Sequence, residues 1–285
     1  MAACATVTAL TDLIARYYTG TTRDKMLGYQ GAIGSALGAV SLLVAGAIAS
    51  AWGWQAACLP YLAAAILILP AIFGLPRFPP LAKPAGKAEK PLSLRDRMGG
   101  VAPYWFLVII GFSTVQFMVS IQVPFALHED GISSPSSISY IIFTGAVATT
   151  LGAASFGYVS ARLGRGGTLN LVMVLLAAGS AIIGFSHDAA STTAGCVVVA
   201  FGAGIVAPYL FALILSQADP ATRGRAVGLA QASFFLGDFA NLLVAAPLRP
   251  LVGTRGIFLV VASVIVLALI LLRLRRIGRV ASLNA

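Results

Sequence analysis

The sequence predicts an all-α integral membrane protein, and three observations carry that prediction. Apolar residues make up 59 % of the 285 residues and charged residues only 10 %, against roughly 25 % charged in soluble domains. Apolar runs of about 20 residues recur along the chain, each long enough to cross a hydrocarbon core roughly 30 Å thick as a helix. The basic residues, finally, fall almost entirely between alternate pairs of those runs. Helix is imposed by the lipid: an open strand edge finds no partner there, and runs such as VVASVIVLALILL lack the alternation of a barrel strand.

The elements follow in order. AACATVTAL at 2–10 is apolar but too short to span, and it does not read as a signal peptide, because no basic residue precedes it and Asp12 and Arg16 follow. Eight complete spans are predicted at 27–51, 55–75, 103–126, 138–161, 168–186, 191–214, 226–247 and 253–272. Residues 1–76 and 103–272 therefore form two membrane regions, with a tail at 273–285. Between them RFPPLAKPAGKAEKPLSLRDRMGG, within the linker 77–102, is rich in Pro, Ala and Lys and carries six basic against two acidic residues. It reads as a solvated tether able to rest on anionic lipid.

Charge fixes the topology. With the spans so placed, 17 of the 19 Lys and Arg fall on one side, and only Arg249 and Arg255 on the other, beside His128, Glu129, Asp130, His187 and Asp188. The positive-inside rule makes the basic loops and the C-terminus cytoplasmic in a multi-pass protein of the cell membrane. The net charge of +10 is thus a topology signal. Nucleic-acid binding would need basic side chains gathered on one solvated face, and is not expected.

The chain also repeats itself. TTRDKMLGYQGA at 21–32 and ATRGRAVGLAQA at 221–232 align without a gap, matching Thr22, Arg23, Gly28 and Ala32 to Thr222, Arg223, Gly228 and Ala232. Each copy has a basic loop, a span, a short turn and another span. These two stretches, with GYVSARLGRGG at 157–167 and the turn AWGWQ at 51–55, resemble the major facilitator superfamily: the loops between helices four and five and between ten and eleven, the Gly-x-x-x-Asp-Arg-x-Gly-Arg loop between helices eight and nine, and the turn before helix six. The resemblance implies a bundle of two six-helix halves, here with about eight complete helices and a partial first one. Residues 1–76 would be the end of helix four with helices five and six, and 103–272 helices seven to twelve. At the repeat offset the spans at 103–126, 138–161 and 168–186 have no upstream partners, so the chain is expected to lack three and a half helices of a twelve-helix protein.

The function implied is secondary transport of a small solute by alternating access, with protons as a candidate coupling ion, in a monomer embedded in the bilayer. The alternative is a non-transporting fragment of such a protein. The resemblance places a cytoplasmic gate at Arg23, Gly28, Gly157, Arg162, Gly164, Arg165, Arg223 and Gly228. Here the family's acidic position is Ala161, which removes the carboxylate that would centre a charge network. The Gly-Pro with paired glycines that marks drug–proton antiporters late in helix five is also missing from SLLVAG at 41–46.

Polar residues within the spans are the substrate candidates. Ser113, Gln116 and Ser120 fall at i, i+3 and i+7, on one helical stripe, with Phe112 for apolar contact. Helix seven lines the central cavity in the resembled family, and Tyr209, after Pro208 in helix ten, is a second candidate. Asp238 is the acidic residue well inside a confident span, roughly 18 Å along its helix. A carboxylate there costs about 2.5–3.5 kcal/mol on insertion scales, so it is the candidate proton carrier, with Asn241 one turn away. Metal, cofactor and enzymatic readings find no support. The two His sit in different loops, Cys4, Cys58 and Cys196 are isolated, GAG at 202–204 lies inside a helix, and no phosphate-binding loop occurs. An intramembrane enzyme would need a nucleophile and base that the sequence does not supply.

Overall fold

A computed structural model describes residues 2–52, 55, 100–132, 135–218 and 222–283. They form helices α1 (Ala2–Tyr17), α2 (Gly20–Trp52), α3 (Tyr104–Glu129), α4 (Pro135–Phe185), α5 (Ala189–Gln217) and α6 (Arg223–Leu283). The expectation of about eight complete spans is corrected: among the described residues there are six helices, and four of them, α3 to α6, are long and apolar enough to cross a membrane. The physical reason is glycine. The spans predicted at 138–161 and 168–186 lie in α4, which turns at Gly164 (φ 63°, ψ 179°), and those at 226–247 and 253–272 lie in α6, which turns at Gly253 (φ 70°, ψ 170°). Each long helix is two rods joined by one residue in a conformation that a side chain would strain. The span at 55–75, the turn at 51–55 apart from its ends, and the linker up to residue 99 lie outside the described residues. α6 continues as helix to Leu283, through most of the segment read as a tail.

Small residues set how closely the rods approach, as expected where lipid removes the hydrophobic drive between helices. A Cβ on Gly152 would stand 2.1 Å from the Phe201 carbonyl oxygen, and one on Gly204 would stand 2.1 Å from that of Thr149, so α4 and α5 cross backbone against backbone. The second rod of α4 repeats the device further along, with Gly179 and Gly195 each facing the other's carbonyl. α5 is buried through most of its length, including Val199, Ile205, Leu210 and Ile214. The outward faces of α6 are apolar and exposed at Leu242, Leu243, Val264, Leu267, Ile270 and Leu271, a surface suited to hydrocarbon.

α3 and the first rod of α6 are joined by a polar column. Thr114 donates to the Gly237 carbonyl (3.0 Å), Asn241 Nδ2 donates to the Thr114 carbonyl (3.0 Å), Gln122 Nε2 donates to Asn241 Oδ1 (3.2 Å), and Arg249 donates to Gln122 Oε1. Arg249 also lies over the Phe125 ring, 4.0 Å from its centroid. At the same end of the bundle Arg255 pairs with Asp130 and donates to Ser186, while Thr254 donates to Glu129. That end of α3, α4 and α6 is thereby fastened together.

Candidate functional site

A cavity of about 440 Å³ opens between α2 on one side and α3, α4 and α5 on the other. α2 contributes Ser35, Gly38 and Ala39; α3 contributes Gln116, Phe117, Ser120 and Val123; α4 and α5 add Thr149, Cys196 and Val199 among others. Its volume is in the range of small-molecule sites. Of the sequence candidates, Gln116 and Ser120 line it. Gln116 Oε1 is buried with no hydrogen-bond partner among the described residues. The described lining holds no Asp, Glu, Lys, Arg or His.

The other candidates stand elsewhere. Ser113 is fully buried, donates to the Ile109 carbonyl (2.7 Å), and faces the close approach of Gly237. Phe112 and Tyr209 pack with the core cluster. Asn241 is fully buried with its amide engaged by Gln122 and Thr114 on α3. Asp238 is half-buried, with no hydrogen bond to Asn241 or to any other described residue. Thr149 and Ser35, which sequence reasoning passed over, join the lining: Thr149 sits at the crossing of α4 and α5, where Gly204 meets its carbonyl, and Ser35 faces it from α2. Isolated hydroxyls in apolar helices give no signal of direction by themselves.

Of the residues assigned to a gate, Arg23, Gly28, Gly157 and Arg223 make contacts between helices at the basic end of the bundle. A Cβ on Gly28 would stand 2.7 Å from the Ala153 carbonyl oxygen, and one on Gly157 would stand 2.4 Å from the Lys25 side chain and 2.8 Å from its Cα, so α2 and α4 pack closely there, with the Lys25 stem lying against Gly157. Gly31 still meets Ala153, but Gly34 and Gly38 face open space, so the two helices part toward the other end and the cavity lies in the wedge. Arg223 donates to the Ala15 carbonyl at the end of α1 (3.5 Å), and Ser160 donates to Asp24 Oδ2 (3.1 Å). Burial pushes the Arg23 guanidinium down from its usual range, and Arg223 and Arg165 push the same way against Asp24. Arg162 turns aside onto the Tyr158 ring, 4.5 Å from its centroid. Gly164 makes the turn between the two rods of α4, and Gly228 has no neighbour within 4 Å of a built Cβ.

The model of one family, described as Major Facilitator Superfamily, matches residues 1–242 and again 134–283. The chain belongs to the Major Facilitator Superfamily. A curated Bacillus subtilis (strain 168) protein that bears the name niacin/nicotinamide transporter NiaP is 24 % identical over 174 residues, which are 61 % of this chain and 42 % of that protein. Among solved structures, the human organic anion transporter MFSD10 (TETRAN) superposes with a TM-score of 0.69 at 18 % identity, over 90 % of this chain and 65 % of that one. At that identity the likeness shows the superfamily fold. The chain spans less than two thirds of the length of both proteins.

Proposed function

We propose that this superfamily member belongs to a secondary transporter that moves a small, uncharged, largely apolar solute by alternating access. The observation that carries the reading is the wedge between α2 and α4: shut at the basic end by Gly28 and Gly157, parted at Gly34 and Gly38, with the cavity in between. Two bodies that touch at one end and separate at the other are what rocking about a midplane site requires. With the basic end cytoplasmic, this is the outward-facing arrangement. An uncharged solute is favoured because the described lining offers no countercharge, and an ion left without one in an apolar site pays a heavy desolvation cost. Gln116 Oε1 asks for a ligand N–H or O–H.

The name of the Bacillus relative supplies a test pair, since niacin is a carboxylate and nicotinamide its uncharged amide. The protein in proteoliposomes should take up labelled nicotinamide in preference to nicotinate, or at least bind it more tightly. A preference for the anion would overturn the uncharged-solute reading. Gln116→Leu should weaken binding of the amide by about tenfold, the worth of a good hydrogen bond to an otherwise orphaned group. Asp238, an acid in an apolar helix with no described partner, remains the proposed proton carrier.

A further inference from the structure

The internal repeat places two arginines at equivalent positions, Arg23 and Arg223, two hundred residues apart. In the folded chain both reach the basic end, one at the start of α2 and the other at the start of α6, and Arg223 bridges back to the end of α1. Each has its Nε buried with no hydrogen-bond partner among the described residues. Such donors on charged groups are costly to leave unmade. Arg165 adds a third guanidinium: it follows Ser160 by five residues on α4, Ser160 bonds Asp24 next to Arg23, and the Arg165 charge weighs on that of Arg23. The one described carboxylate acting on Arg23 is Asp24, and its Oδ2 already accepts from Ser160. Next to Ser160 stands Ala161, exposed, at the place where the loop pattern that 157–165 resembles carries an Asp.

Three cations and two orphaned donors are set against the one carboxylate of Asp24. A phosphate oxyanion matches this set: guanidinium forks take phosphate oxygens through paired N–H groups, and a dianion would offset the mutual repulsion. We propose that Arg23, Arg165 and Arg223 form an anion site for a phosphate group at the seam between α1–α2 and α4–α6, where the bound anion takes the place of the carboxylate absent at Ala161. The site is separate from the cavity and does not depend on what the cavity carries. Because its arginines come from both sides of the seam, a bound phosphate holds the basic end shut.

The phosphate could belong to a lipid headgroup or be free in solution, and two measurements separate these sources. In neutral detergent at matched ionic strength, inorganic phosphate replacing chloride should raise the thermal unfolding midpoint if the site takes a soluble anion. In nanodiscs of phosphatidylcholine with phosphatidylglycerol, native mass spectrometry should find the anionic lipid retained if the headgroup is the ligand. Either response should fall about tenfold in apparent affinity in Arg23→Gln and in Arg223→Gln, and persist in Arg225→Gln, which alters an exposed neighbour. Ala161→Asp should blunt the response while raising the midpoint without added anion. The proposal is overturned if neither probe acts, if Arg225→Gln costs as much as Arg223→Gln, or if Ala161→Asp leaves the response unchanged. The Ala161→Asp arm decides the matter should the arginine variants fail to fold.

Discussion

At the scale of single residues, the column between α3 and α6 separates two kinds of buried polarity. Asn241 and Gln122 are fully buried and satisfy each other, Thr114 and Arg249, whereas Gln116 and Asp238 are left without described partners. The first pair should answer to stability and the second to transport. Asn241→Leu breaks two interhelical hydrogen bonds at about 0.6 kcal/mol each, so unfolding titrations should show a loss of about 1 kcal/mol, and Gln122→Leu in the same background should cost further, because it also takes the acceptor from Arg249. Asp238→Asn should retain expression and solute exchange but lose uptake driven by a pH gradient; unchanged pH-driven uptake would remove Asp238 from the coupling role. The sequence placed Asn241 as the partner of Asp238 because one helical turn separates them. Spacing along one helix does not say which neighbouring helix an amide will meet, and α3 supplies better-placed partners. Gln116 and Ser120 were legible because a stripe at helical period survives folding, but Ser113 on the same stripe turns its hydroxyl back to its own helix.

At the scale of helices, glycine does two opposite jobs that the sequence alone does not distinguish. Where a Cβ meets a carbonyl oxygen at 2.1 Å, as at Gly204, a side chain must push backbone apart. Gly204→Ala should therefore cost about 1–3 kcal/mol, as overpacking does. Gly228 faces open space within a helix, so Gly228→Ala should be neutral or stabilise by up to about 1 kcal/mol. Equal effects at the two positions in thermal unfolding would refute the packing account. α5 also shows how an element is started: Asp188 accepts from the Ser191 N–H (2.9 Å), capping the helix. The bonds from Ser191 hold the Asp188 carboxyl below its usual range. A lowered folded-state value means the cap contributes above the unfolded carboxylate range and is lost as pH falls through the folded one. Protection factors of amides in the first turn of α5, with exchange corrected for its intrinsic pH dependence, should fall on acidification, and Asp188→Ala should show the lower protection already at neutral pH. The apolar runs were readable as spans by length, but the glycine turns at Gly164 and Gly253 made two broken helices where four separate ones were expected.

At the scale of the whole molecule, the superfamily was readable, because the loop motifs that carry it need no knowledge of any side-chain direction. The repeat gives Arg23 and Arg223 equivalent places at one end, while the approach of Arg165 and Gly157 to that end, the wedge and its cavity depend on how α2 and α4 pack. Spin labels at Thr21 and Ala161, both exposed at the basic end, should lie close in the arrangement described and move apart when the wedge reverses. The seam at Gly28 and Gly157 also bears on speed. The glycines themselves have no rotamers to rearrange when that contact parts, so the side chain that must let go is the Lys25 stem lying on Gly157. The barrier to opening then resides in whatever neutralises the arginines beside it, and the turnover rate would be set by how quickly a counterion leaves.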